Sequence, residues 1–468
     1  MNRSVRRPLI VLAVVALSLG AWYLLPRGSG PQAPVVDSGP GATQIDGTPS
    51  FDVPASGAQG SGAGASAIPV APSPATTADV SSGPVASSPS VIASPPPTPG
   101  PGSAASATPM VRAALDARLE RLRAKYGIPG ISAAIIFADG STWQGTAGLA
   151  DVAARRPVTP DTAFSVASVS KTFTAALILA LVEDGRLGLD IPATSYLPSL
   201  PIDPAITVRQ LLDHTSGLRD FFHGPGIDHA LLSKPARVWT TARSLRYLGK
   251  PFAKPGVSWH YSNTNYLILG MLAEAVGGAP VADQLRARFF DPLGLDHTWY
   301  QAVDTPRGPA AHAYRFTGTG TSLPAIDLSD GTRVVPFTSV VTSAGAAGSI
   351  ATTAGDLARW AQALYGGDAL EPASRDAMVA DSTLTAKYHP TIPYGLGVQS
   401  VQVGGQRTLG HSGRFLGTRA VVRWLPDSRI ALAVLTNQSR RDVNVVLSDL
   451  LKVALQPQPD CGACPPIP

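Results

Sequence analysis

The sequence predicts an α+β domain built on one antiparallel sheet. Two observations carry this: strand-like runs joined by tight turns occur at the start of the periodic region and again near its end, and a long helical stretch lies between them. A sheet assembled from both ends of the domain leaves the terminal helices to cover one face. The central helical block is then inserted on the other face.

The elements follow in order. Val111 to Tyr126 carries Leu115, Leu119 and Leu122 at helical spacing. Gly130–Phe137 and Thr142–Leu149 read as strands joined through Asp139-Gly140, a strong hairpin signal. Ser168 to Glu183 reads as one helix ended by Gly185. Thr207 to His214 is another, with Thr207 and Gln210 as a capping box and Ile206 and Leu211 as its hydrophobic staple. Tyr266 to Val276 stops at Gly277-Gly278, and Thr353 with Asp356 caps a helix running to Leu364. Four strands follow, Gly395–Val403, Gln406–His411, Thr418–Trp424 and Arg429–Thr436, with turns at Gly404-Gly405 and Pro426-Asp427. Asp442 to Leu455 closes the domain as a helix, and no internal repeat is visible.

Four regions result: 1–25, 26–108, 109–456 and 457–468. Arg3, Arg6 and Arg7 precede an apolar run from Leu9 to Leu25, about long enough to cross a bilayer. Ala21-Trp22-Tyr23 offers no small-x-small exit, so an uncleaved signal-anchor is expected, with a cleaved signal peptide as the competing reading. Basic residues before the run favour an inside N-terminus, with everything after Pro26 outside the membrane. From Pro26 to Thr108 the chain is mostly Pro, Ala, Gly, Ser, Thr and Val, with Phe51 its only aromatic residue. Such a segment buries too little apolar surface to offset its ordering entropy and reads as a tether. Cys461 and Cys464 stand in a Pro-rich tail, as a local disulfide or two idle thiols. A net charge of +5 without a basic cluster gives no reason to expect nucleic acid. The eight histidines show no metal-ligand spacing, and no cofactor is expected.

The chemistry-bearing stretch is Ser168-Val169-Ser170-Lys171. Lys171 is the only charged residue between Thr162 and Val182, in a run apolar enough to be buried. A buried lysine is costly unless compensated, and the first turn of a helix disfavours a positive charge. Two local rules broken at one residue mark a functional site. Ser168, three residues earlier, lies within reach of that amine, as a serine nucleophile with a neighbouring base requires. Read blandly, Ser168 is a helix N-cap, Tyr261 a core aromatic, Asn263 a cap and His411 a satisfied histidine on a strand. A Ser-His-Asp hydrolase is rejected, because Gly410-His411-Ser412 is followed by Arg414 where a nucleophile elbow requires glycine.

Two further signals come in order: Tyr261-Ser262-Asn263 before a helix and His411-Ser412-Gly413 at a strand end. With Ser168-x-x-Lys171, these resemble the three motifs of the penicillin-binding protein and class C β-lactamase family. Ile206 to Leu218 resembles that family's signature segment, and the likeness runs from about residue 112 to 456. The resemblance implies a β-lactamase/DD-peptidase-like fold and an acyl-enzyme on Ser168. It implies that Lys171 and Tyr261 share proton transfer, without choosing the base. It further implies substrate contacts at His411 and Gly413, an Asn263 that hydrogen-bonds a substrate amide or holds Lys171 in place, and an oxyanion hole from the backbone N–H groups of Ser168 and Arg414. A lysine working as base near neutral pH needs its pKa about 3 below the ordinary value, roughly 4 kcal/mol; burial acts in that direction. Tyr261 as base would need a nearby cation, which Lys171 could supply. His214, although inside the signature segment, is expected to be structural.

Histidine at position 411 departs from the lysine usual in β-lactamases and looks more like the carboxypeptidases, D-aminopeptidases and esterases of the group. Strand alternation places the Arg414 side chain opposite the face of His411 and Gly413. The expected function is D-alanyl-D-alanine carboxypeptidase-like hydrolysis of cell-wall peptides from a membrane anchor. The alternatives are a short-chain esterase or weak β-lactamase, and a β-lactam-binding sensor or scaffold. Residues 219–234, with Phe221, Phe222 and His223, are expected to flank the pocket.

Overall fold

The computed structural model describes residues 105–316, 325–387 and 391–456. The expected anchor (1–25), most of the tether (26–108) and the tail with Cys461 and Cys464 lie outside the described residues. Among the described residues no single helix is long and apolar enough to cross a membrane.

The elements that place the site are α1 (Pro109–Tyr126), β1 (Gly130–Ile136), β2 (Thr142–Asp151), β3 (Arg156–Pro157), α2 (Ser170–Glu183), α3 (Val208–Leu212), α4 (Asn263–Gly277) and α5 (Ala354–Gly366). They are followed by β4 (Gln399–Val403), β5 (Gln406–Phe415), β6 (Thr418–Leu425), β7 (Ile430–Thr436) and α6 (Val443–Ala454). The seven-stranded sheet runs β3-β2-β1-β7-β6-β5-β4, every pairing antiparallel. The first and last strands of the domain meet at its centre, where Ile131 pairs with Thr436. This is the sheet assembled from both ends that the strand order predicts.

Both faces are covered, so β1 and β7 are buried along their whole length. Ile131, Ala133 and Ile135, with Ile430, Leu432 and Val434, pack under α1 and α6, against Leu115, Leu119, Leu447 and Leu450. The alternate residues Ala134, Ala431, Ala433 and Leu435 face the central helices. The mostly small residues on that face let α5 lie close to the sheet. Deeper in the helical block, Phe173 stacks on Trp360 with ring centroids 4.1 Å apart, and the Trp360 indole donates to Thr172 Oγ1 at 2.9 Å. These contacts fix α2 against α5 and hold the start of α2 in register.

Local signals are realised closely in several places. Gly140 adopts a left-handed φ of 82° in the β1–β2 turn, and Ser141 donates from its amide and hydroxyl to Asp139 Oδ1. The capping box is complete, with Gln210 N–H donating to Thr207 Oγ1 and Thr207 N–H to Gln210 Oε1. Thr353 Oγ1 accepts from Asp356 N–H at the start of α5.

Five boundaries differ from expectation. Ser168 is not in the α-helix: it sits on a 3-10 turn, Ala167–Val169, and α2 starts at Ser170. The cause is Ala167, held at φ 47° while Val166 N–H donates to Ile350 O and Ile350 N–H donates to Ser170 Oγ. The helix expected to His214 stops at Leu212, because His214 turns left-handed at φ 66°. α4 starts at Asn263, three residues before Tyr266. In the run expected as a strand from Gly395, residues 395–398 form a turn with Gly397 at φ 77°, and pairing starts at Gln399.

β5 also overruns its expected end at His411 and continues to Phe415. That extension lays Gly413 against the 3-10 turn: a Cβ there would stand 2.0 Å from Val166 O and 3.2 Å from Ser168 N. Both are backbone atoms and no rotamer change relieves them. Gly413→Ala is expected to displace the Ser168 turn and destabilise the domain by about 1–3 kcal/mol. Denaturant melts check this, and an unchanged midpoint would refute the close approach.

Candidate active site

Ser168, on its turn, is half-buried, as are Tyr261 and Asn263, and Lys171 beneath it is fully buried. The Lys171 amine has three neighbours. It donates to Asn263 Oδ1 at 2.7 Å and to Ala347 O at 2.9 Å, and stands 3.2 Å from Ser168 Oγ. Burial pushes its pKa down to about 7, with the Asp220 carboxylate acting in the opposite direction. Both amine and ammonium are therefore populated near neutrality. The ammonium form also lies 5.0 Å from the Tyr261 ring centroid and 5.4 Å from that of Tyr266, favourable for a cation.

A neutral amine has two N–H bonds and one lone pair. Ala347 O can only accept. The Asn263 amide is oriented from behind, since its Nδ2 donates to Asp220 Oδ2 at 2.6 Å. Its Oδ1 must then face Lys171 and accept. Both N–H bonds of the amine are thereby used, and the lone pair is left for the Ser168 hydroxyl.

Tyr261 packs its ring over His214, 4.4 Å between centroids. Its hydroxyl is buried and has no hydrogen-bond partner of good geometry. Burial pushes its pKa far up, partly opposed by the neighbouring Ser168 hydroxyl. A phenolate there is strongly disfavoured, so of the two groups the amine is much the easier to hold in its basic form.

The second motif is laced to the signature segment almost residue by residue. His260 N–H donates to His214 O, and Ser262 N–H to His214 Nδ1, which clamps the backbone on both sides of Tyr261. Asn265 also reaches His214 Nδ1, and Ser216 Oγ donates to Asn265 Oδ1. Thr264 Oγ1 donates to Arg219 O and accepts from Phe221 N–H. Burial holds His214 neutral, so its Nδ1 serves as acceptor in this lacing.

His411 is buried on β5, with its ring 6.3 Å from that of Tyr261. Its Nδ1 is 2.6 Å from Ser412 O, a pure acceptor, so that nitrogen carries the proton. Nε2 then accepts from Tyr394 Oη at 2.9 Å. Burial and the nearby Lys171 push its pKa down to about 3. Both nitrogens are engaged within the protein and the ring is uncharged. The glycine at 413 brings β5 to the Ser168 backbone, while the Arg414 side chain is exposed.

The structure thus brings Ser168, Lys171, Tyr261, Asn263, His411 and Gly413 together. The sequence reading missed Asp220, Tyr394 and Ala347 O. Asp220 adjoins the signature segment and is 5% exposed, its other oxygen accepting from Phe222 N–H. No local pattern distinguishes it from a helix-capping aspartate. Among the described residues no three His, Cys, Asp or Glu side chains are grouped to hold a metal ion.

Residues 115–455 match the family model described as Beta-lactamase. The chain belongs to the beta-lactamase family. Its antiparallel sheet with helices on both faces is the fold of that family. It is 30% identical over 300 residues to penicillin-binding protein 4* of Bacillus subtilis, covering 62% of this chain and 64% of the relative. It is 29% identical to the D-aminopeptidase of Brucella anthropi, covering 69% and 59%. The chain therefore spans less than two thirds of either curated relative. A solved D-stereospecific amidohydrolase from Streptomyces superposes with a TM-score of 0.62 at 28% identity, over 75% of this chain and 99% of that one.

The buried lysine makes a stability prediction. Native Lys171 releases its proton near 7 and the unfolded residue near 10.5, so between those values the unfolded state holds more protons and stability rises with pH. Lys171→Met removes this dependence. The stability of the variant relative to wild type should be more favourable at pH 6 than at pH 9, by on the order of 2–3 kcal/mol. Denaturant melts at the two pH values measure it, and an equal difference at both contradicts a neutralised amine.

Proposed function

We propose that the domain hydrolyses amide and peptide bonds next to D-amino acids through an acyl-enzyme on Ser168, with Lys171 as the base. The observation that carries this reading is the amine lone pair left for Ser168 Oγ at 3.2 Å. Oγ attacks the substrate carbonyl carbon while its proton passes to Lys171 Nζ. The tetrahedral intermediate collapses, the C–N bond breaks, and the proton passes from Lys171 by way of the Tyr261 hydroxyl to the leaving amine. Water repeats the sequence on the ester and restores Ser168. The backbone N–H groups of Ser168 and Arg414 are assigned to the developing oxyanion, each worth about 3 kcal/mol where such donors have been removed elsewhere.

The D-configuration is supported by the names of the relatives, a D-aminopeptidase and a D-stereospecific amidohydrolase. Peptidoglycan stem peptides, which end in D-alanine, suit a domain held outside the cell by residues 1–25, and that location is part of the proposal. One observation favours an amidase or aminopeptidase over a carboxypeptidase. A carboxypeptidase substrate presents a terminal carboxylate, and His411 is uncharged with both nitrogens engaged. β-Lactams, which also carry a carboxylate, should acylate slowly for the same reason.

Four measurements test this. Intact-mass spectrometry with an activated D-amino acid ester should show one acyl adduct on the Ser168 peptide, absent in Ser168→Ala. For a neutral substrate, kcat/KM should rise with pH through about 7 and then level, as expected if the amine must be unprotonated. Lys171→Ala should lose about 10²–10⁴-fold; activity near wild type would remove Lys171 from the mechanism. A peptide ending in D-Ala-D-Ala amide should be cleaved at least as well as the free acid, and strict dependence on the carboxylate would return the carboxypeptidase reading.

A further inference from the structure

We propose that Asp220 is a positioning residue of the reaction, which directs the Lys171 lone pair to Ser168 by fixing which end of the Asn263 amide faces the amine. This deepens the proposed function and rests on its assignment of Lys171 as base. A carboxylate can only accept, so Asp220 Oδ2, 2.6 Å from Asn263 Nδ2, admits one orientation of that amide. The carboxylate is itself held, with Oδ1 accepting from Phe222 N–H at 3.0 Å on the turn that Asp220 caps. The neighbouring segment is fixed to α4 through Thr264, which bridges Arg219 O and Phe221 N–H. Asp220 therefore has little freedom to follow Asn263 if the amide turns over.

The reverse orientation would present Nδ2 to Lys171. An amide N–H aimed at the amine would compete with the Ser168 hydroxyl for its one lone pair, while an N–H of the amine lost its acceptor. Asp220 also acts through charge. It faces Lys171 together with Tyr261, Tyr266, His214 and His411, and it is the one acidic group among these. It raises the basicity of the amine against the effect of burial. Orientation and charge make separable contributions.

Asp220→Asn is the diagnostic variant, because it is isosteric yet carries both a donor and an acceptor, so either orientation of Asn263 can be satisfied. Expected are a plateau acylation rate lowered about 10–100-fold, the usual loss when an outer hydrogen-bond partner is removed, and an acid limb of kcat/KM moved to lower pH. KM should change little. Asp220→Glu keeps an acceptor-only carboxylate and should hold the acid limb at its wild-type position with a smaller loss of rate.

A plateau within twofold of wild type and an unmoved acid limb in Asp220→Asn overturn the proposal. So does an Asp220→Glu variant that matches Asp220→Asn in both respects. If the Asn variant folds poorly, an Asp220→Glu variant whose acid limb moves to lower pH overturns it alone, since that variant keeps the carboxylate. Lys171→Ala measured alongside separates the two levels. A severe loss in Lys171→Ala with a wild-type-like Asp220→Asn sinks Asp220 alone, whereas a near wild-type Lys171→Ala sinks the base assignment as well.

Discussion

A primary amine enclosed at the start of an apolar helix is the constraint on which the site depends. Lys171 has no solvent to hydrate it, so the protein must supply hydrogen-bond partners from distant parts of the chain. They come from Ser168 on the preceding turn, Asn263 at the start of α4, and Ala347 O at the end of the 3-10 turn Gly345–Ala347. Burial alone favours the amine, and the nearby carboxylate keeps the ammonium accessible. The balance between the two leaves a group able to take and return a proton near neutrality.

The fold serves that arrangement by holding three layers in register. The central strands present mainly small residues to the helical block and large ones to the terminal helices, so each face closes differently. α2 is fixed by the Phe173–Trp360 stack and by Thr174 Oγ1, which donates to Ala346 O beside the Lys171 acceptor. The segment from His214 to Asp220 has no regular structure, yet it secures nearly every residue from 260 to 265. That explains in physical terms why a signature lies in a loop: the polar groups of this segment hold the Ser262 backbone and the Asn263 and Thr264 side chains in place.

Much of this was legible in the sequence because it is local. Caps such as Thr207 and Thr353, the Asp139-Gly140 hairpin and the period-two runs of the last strands state their structure within a few residues. Lys171 was legible because it breaks local rules. The 3-10 turn under Ser168 was not, since nothing in Ala167 announces a left-handed backbone; partners on Ile350 impose it. Asp220 and Tyr394 were hidden for a related reason. Their roles come from residues 43 and 17 positions away, chosen by tertiary packing. The state of His411 belongs with these, because only its enclosure shows that it carries no charge.

Gly413 carries a last consequence. The gap between the strand and the nucleophile's turn is set by main-chain atoms on both sides, Val166 O and Ser168 N facing a residue without a side chain. Main chain does not vary with residue identity. Drift in the surrounding side chains can reshape what enters the cleft while its innermost width stays constant, so new specificities can arise on this scaffold without retuning the step that follows binding.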